Sequence, residues 1–202
     1  MKYVDYRLVR SKKLVLFFLL TLTFMGCIGN AKTSIDDIQV LPVREYYYDA
    51  LAIAHDWQSD AYLQSANAIT RQSDDSLMPL QVSYTFLSNN KRSEALLVWI
   101  REDLTIKSEV GNMGGSVIDR RAIRSEQWVI DVMEAIQIAQ ETKGNEFISK
   151  HQSVEITAYL EYHQREPDNT VVWRISYLKP FGEGSMYVEV NAVNGDVLEI
   201  RE

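Results

Sequence analysis

Near the C-terminus, Met186, Val188, Val190 and Ala192 alternate with Tyr187, Glu189 and Asn191. A period of two gives a strand one buried face and one facing solvent. Val190 is then a core position, and Glu189 a solvent position where Glu189→Lys is expected to be silent. Asn194-Gly195 breaks the alternation, and Asp196 to Ile200 resumes it. Asn-Gly supplies the two positive-φ residues of a type I′ turn, so a two-residue hairpin is expected here, with Val188, Val190 and Ala192 facing a helix. An earlier strand, Val171 to Leu178, enters through a Pro-Phe-Gly-Glu-Gly loop.

Upstream, the apolar period changes to that of a helix. Tyr47, Leu51 and Ala54 fall at i, i+4 and i+7 within Tyr46 to Trp57, which predicts a helix with one apolar face. Val132, Ile136 and Ala139 repeat the spacing within Asp131 to Thr142, a second helix expected to stop near Gly144. A short segment, Asn145 to His151, follows it. Between the helices lie an extended segment from Asp60 to Ile69 and strands over Leu80 to Leu87, Ala95 to Arg101 and Leu104 to Val110. A further strand is expected from Val154 to Tyr162. Gly111 to Gly115 and the polar stretch to Ser125 mark the best internal boundary.

The two helical segments align at a constant offset of 85: Ala50-Leu51-Ala52-Ile53-Ala54 on Ala135-Ile136-Gln137-Ile138-Ala139. Tyr62-Leu63 falls on Phe147-Ile148 at the same offset, and Leu96 to Trp99 resembles Thr170 to Trp173 at an offset of 74. An internal repeat is the reading these matches support. The expected fold class is therefore α+β, in two related halves, each a helix packed on an antiparallel sheet of three or four strands. Whether the halves merge their sheets is open. The expected organisation is a signal peptide over 1–26, a tether over 27–43, a first repeat over 44–115, a linker over 116–127 and a second repeat over 128–202.

Charge and the N-terminal segment add an address. Residues 1–26 hold five of the 21 Lys and Arg but one of the 28 acids, leaving 16 bases against 27 acids in the remainder. A surface that acidic repels phosphate backbones, so a nucleic-acid partner is not expected. Leu14 to Met25 is apolar and too short to span a membrane comfortably, but suits the core of a signal peptide. It ends in Phe24-Met25-Gly26-Cys27, which resembles the lipobox of bacterial lipoproteins, with Phe24 where that family usually has Leu. The resemblance implies lipidation of Cys27, attachment to a membrane and an extracytoplasmic protein. Cleavage after Gly29-Asn30-Ala31 with plain secretion, or a retained anchor, are the alternatives. Cys27 is the one cysteine, so no intramolecular disulfide can form and packing must stabilise the domain.

The alanine-rich helix Ala135 to Ala139, the strand Trp173-Arg174-Ile175-Ser176-Tyr177 and the hairpin Val188 to Leu198 together resemble PepSY-like domains. Asn191 departs from the acidic residue common there. The resemblance implies an extracytoplasmic module, found alone or in peptidase propeptides, that binds or inhibits partners. An envelope protein or a peptide is the implied partner.

Catalytic signatures are not found. There is no His-Glu-x-x-His, no Gly-x-Ser-x-Gly and no phosphate-cradling glycine loop. His55 with Asp56 and Asp60 could hold a metal, but a helix C-terminus favours a histidine there anyway. His151 and His163 flank one strand, about 3.3 Å per residue, and do not converge. The acid pairs Asp36-Asp37 and Asp74-Asp75 read as solvated charge. Trp57, Trp99, Trp128 and Trp173 read as core, with a ligand groove between sheet and helix as the functional alternative. At least one of Tyr46, Tyr47 and Tyr48 should be exposed. No catalytic residue, metal or cofactor is assigned. A non-catalytic, membrane-anchored binding or inhibitory module is expected. The alternatives are an enzyme with a site assembled from scattered residues, such as His55 with acids, and a structural spacer of an envelope complex.

Overall fold

The computed structural model describes residues 38–70, 80–113, 119–151, 154–163, 169–179 and 184–202. Cys27, the signal peptide, Asp36-Asp37, Asp74-Asp75 and most of the Pro-Phe-Gly-Glu-Gly loop lie outside them. Helix α1 (Val43–Trp57) is followed by strands β1 (Tyr62–Ile69), β2 (Gln81–Leu87), β3 (Glu94–Arg101) and β4 (Ile106–Asn112). A 3₁₀ turn, Ser125–Gln127, then leads to α2 (Val132–Ala139), a π-helical turn (Gln140–Gly144) and α3 (Asn145–Lys150). Strands β5 (Glu155–Tyr162), β6 (Val171–Leu178), β7 (Ser185–Asn191) and β8 (Val197–Arg201) complete the order.

All eight strands form one antiparallel sheet in the order β4-β3-β2-β1-β5-β6-β7-β8. The fold is α+β. Each run of helix and four strands makes a meander, and the two meanders join where β1 pairs with β5. The period-two patterning explains the layering. Residues paired across a rung share a face, and one such line runs Val98, Tyr84, Ala66, Leu160, Trp173, Val190 across six strands. All six are buried under the helices. α1 packs on β1 to β3, and α2 packs on β6 and β7. Both helices thus cover one face, and their entry segments meet. Tyr47 packs edge-on against Trp128 at 5.5 Å, and Trp128 against Trp173 at 6.4 Å between ring centroids. Trp128 and Trp173 are fully buried, as expected of core rings, while Trp57 and Trp99 are half-buried.

Five expectations are corrected. The turn between β7 and β8 is not a two-residue type I′ turn. Gly195 N–H donates to Asn191 O and Asn191 N–H to Asp196 O, closing a four-residue connection. Gly195 alone takes positive φ, +80°. The loop packs against Ile130 and Ile138 of the α2 region, which would crowd a Cβ at Gly195.

The second helix does not end near Gly144. A π-helical turn carries it on to Lys150, and Asn145 to His151 is mostly helical. Gly144 sits there because Tyr177 leaves no room for a Cβ; it is a close-approach glycine rather than a terminator.

Two repeat matches also fail in space. Tyr62-Leu63 opens β1, whereas Phe147-Ile148 lies in α3. Trp99 is on β3, the third strand of its meander, whereas Trp173 is on β6, the second. Tyr84 on β2 occupies the place comparable to Trp173. Tyr84 hydroxyl donates to Val43 O at 2.5 Å, and Trp173 Nε1–H to Ile130 O at 2.9 Å. Each bond ties the second strand of a meander to the start of its helix.

Finally, Glu189 is on the uncovered face as expected but is 1% exposed. Its surroundings follow.

Candidate functional site

The face opposite the helices carries its own line of rung partners: Lys107, Trp99, Ser83, Asn67, Tyr159, Arg174, Glu189 and Glu199, one from each strand. At the β5-to-β8 end it becomes an ionic cluster. Arg174 donates from Nε and Nη2 to Glu189 Oε1 at 3.0 and 2.7 Å, and its Nη1 lies 2.6 Å from Glu161 Oε1. His163, just past β5 and 8% exposed, places Nδ1 2.5 Å from Glu189 Oε2. Across the β7–β8 rung, Glu189 faces Glu199, which pairs with Arg201. The ligand atoms of His163, Glu189 and Glu199 all lie within 4.8 Å of one another. Tyr187 lies beneath both guanidiniums, 5.2 Å from Arg174 and 5.7 Å from Arg201.

Burial dominates the electrostatics here. It pushes the Glu161 carboxyl above its usual range, against the pull of Arg174. Burial also pulls the Arg174 guanidinium down, but its bonds to Glu189 and the charge of Glu161 outweigh that, so it stays charged. Register made this cluster, and the signal available in sequence was weak. Glu189 and Glu199 flank the Asn-Gly turn, but a two-residue turn would set Glu189 opposite Ile200, and only the longer turn brings the two acids to one rung. Nothing local to His163 or Arg174 shows that they face the same rung.

The second feature is the edge formed by β8. Among the described residues no strand pairs with its outer side, and Val197, Leu198 and Ile200 are 37%, 41% and 43% exposed. Val193, in the preceding loop, is also exposed. Edges in soluble proteins are usually guarded by charge, proline or cover. The opposite edge, β4, carries Lys107 and Glu109, whereas on β8 the charged side chains Glu199 and Arg201 pair with each other.

The third feature is a shallow cleft of about 200 Å³ between α3 and the start of β7, lined by Phe147, His151, Lys179 and Glu202 among others. Its acid, Glu146, is spent on lysines. Hydrogen bonds from Lys143 and then Lys150 hold its carboxyl down to about 2. His151 lies against the Phe147 ring at 4.6 Å.

The remaining candidates from sequence separate. His55 is exposed on the last turn of α1. Asp60 accepts from Ser88 Oγ at 2.6 Å and from the Asn89 and Asn90 amides, so it closes the β2–β3 turn instead of meeting His55 at a metal. His151 and His163 stand apart, one in the cleft and one in the ionic cluster. Of the three consecutive tyrosines, Tyr48 is 65% exposed and Tyr47 is buried. Among the described residues no helix is long and apolar enough to cross a membrane.

Residues 130–201, from the entry of α2 to the end of β8, match the family model of the peptidase propeptide and YPEB domain, PepSY. A solved structure similar to the chain is that of a provisionally assigned lipoprotein from Clostridium difficile 630. It is 12% identical with a TM-score of 0.51, and the match covers 77% of this chain and 91% of that one. At that identity the likeness is one of fold. No curated protein matches the sequence.

Proposed function

From a chain that is PepSY-like over residues 130–201, we propose a non-catalytic binding module, held outside the cytoplasm by a lipid on Cys27, that takes an extended segment of an envelope protein along β8. The observation that carries this reading is the edge itself. An unpaired strand offers backbone donors and acceptors to an incoming strand, and alternate side chains select the sequence. Here three apolar side chains, Val197, Leu198 and Ile200, line it, whereas the β4 edge exposes Val110 beside the charged Lys107 and Glu109. The family is named for peptidase propeptides, which fits a partner bound as a chain segment. Against an enzyme stands the chemistry: the acids of the ionic cluster are engaged by arginines, Glu146 of the cleft is engaged by lysines, and the Ser88 hydroxyl that donates to Asp60 is part of the β2–β3 turn. We read the two meanders as a tandem repeat, supported by the matched Tyr84–Val43 and Trp173–Ile130 hydrogen bonds.

The test is recovery of cross-linked partners from membranes with wild-type protein and with the Leu198→Lys/Ile200→Lys variant. Both side chains are exposed, so the variant should keep its thermal midpoint while losing the partner. A partner retained at wild-type level by a folded variant would rule out the β8 edge.

A further inference from the structure

We propose that His163, Glu189 and Glu199 form a binding site for a divalent transition metal, best suited to zinc, on the uncovered face of the sheet. The donor atoms come from three places in the chain: the residue after β5, the middle of β7 and the middle of β8. All lie within 4.8 Å of one another. Tetrahedral ligands about 2.1 Å from zinc sit roughly 3.4 Å apart, so modest rotamer adjustment brings the three onto one ion. The closest pair, His163 Nδ1 and Glu189 Oε2 at 2.5 Å, must open by about 1 Å to admit it.

Three features of the cluster favour a cation. Glu189 and Glu199 are directly opposite across a rung, where like charges destabilise a sheet. Glu189 is nevertheless almost wholly buried, which demands compensation. Three carboxylates, Glu161, Glu189 and Glu199, meet two guanidiniums, Arg174 and Arg201, leaving room for a further positive charge. The arginines also orient the acids. Arg174 occupies Glu189 Oε1 and leaves Oε2 turned toward His163, the outer-sphere arrangement that fixes a metal-bound carboxylate. An imidazole nitrogen beside two carboxylates selects zinc and its neighbours over magnesium or calcium. A bound ion would pin β8, an edge strand held by β7 alone, to the end of β5.

The experiment is calorimetric titration of chelator-treated full-length protein in detergent with zinc, paired with the visible absorption spectrum of the cobalt form. The expected result is one ion per chain, a raised thermal midpoint and a cobalt spectrum of low coordination number. His163→Ala and Glu199→Gln should each weaken binding by about 100-fold or more, since removing a ligand costs at least as much as removing its support. The His55→Ala/His151→Ala variant should bind as wild type. Should His163→Ala fail to fold, Glu199→Gln decides. Absence of zinc and cobalt binding to the folded protein would overturn the proposal, as would unchanged affinity in Glu199→Gln. Either result would identify the cluster as an ion-pair network alone.

Discussion

At Glu189 a lysine would place an ammonium against Arg174 and His163 and strip Arg174 of the oxygen that two of its N–H groups share. Breaking a buried pair costs about 3–5 kcal/mol. Val190→Asp, one residue on, buries an unpaired carboxylate beneath α2 and should cost a comparable amount. Thermal unfolding of the two variants should therefore show losses of similar size, although the residues point to opposite faces. A silent Glu189→Lys would mean that the ionic cluster does not form. Asp131 sets a second residue-scale test. It caps α2 by accepting from Val132 N–H at 2.8 Å, and also accepts from Arg44 N–H at 3.2 Å. Burial nevertheless raises its carboxyl above the usual value, outweighing those bonds. A folded value above the unfolded one means the unfolded chain releases its proton first. Stability from this group therefore falls as pH rises from the unfolded value of 3.8 through the folded value. Asp131→Asn keeps a good N-cap and removes the buried charge. The variant's advantage over wild type in thermal midpoint should be largest near neutral pH and shrink below pH 4. An advantage independent of pH would show that the charge does not matter.

At the scale of elements, the α2–π–α3 helix and β6 are fitted to each other at Gly144. In an ordinary helix, Gly to Ala gains up to about 1 kcal/mol. Here the added methyl would strike the hydroxyl and ring of Tyr177, which is fully buried, and the clash should win by about 1–3 kcal/mol. Gly144→Ala is thus expected to lower the thermal midpoint by several degrees. Among the described residues the buried Tyr177 hydroxyl has no hydrogen-bond partner. Tyr177→Phe should therefore be close to neutral alone and should recover part of the loss in the double variant. Additive effects of the two substitutions would show that they do not touch.

At the scale of the whole molecule, the two meanders are joined by the β1–β5 pairing and by Tyr47 on Trp128. A fragment of residues 128–202 would expose the β5 edge and uncover Trp128, which is fully buried in the chain. It is expected to melt well below the full chain or to dimerise through β5, as size-exclusion chromatography and thermal unfolding would show. A monomeric fragment as stable as the full chain would mean that the seam contributes nothing. The proposed attachment to a membrane is tested at this scale as well. Two acyl chains suffice for stable anchoring where one is marginal. Labelling with a clickable fatty acid should mark the wild type and not Cys27→Ser, and an unlabelled wild type would reject lipidation.

What the sequence determined by itself was local. Alternation at Val82, Tyr84 and Phe86 and at Met186, Val188 and Val190 set which side of each strand is buried, because side-chain direction follows from the backbone period alone. The spacing of Tyr47, Leu51 and Ala54 and of Val132, Ile136 and Ala139 placed both helices for the same reason, although Leu51 is only half-buried and Ala50 takes the central place on the first helix's buried face. The tertiary structure decided everything that depends on register between distant segments. It merged two meanders into one sheet at β1–β5, and it set Tyr84, not Trp99, on the second strand of the first meander, as Trp173 is on that of the second. It carried a helix past Gly144 because Tyr177 needed the space, lengthened the Asn-Gly turn, which packs against Ile130 and Ile138, and buried Glu189 by bringing Arg174 and His163 to its rung. A residue's own sequence neighbours specify which way it points, whereas the partners it meets there come from other strands, and their identity is a property of the assembled sheet.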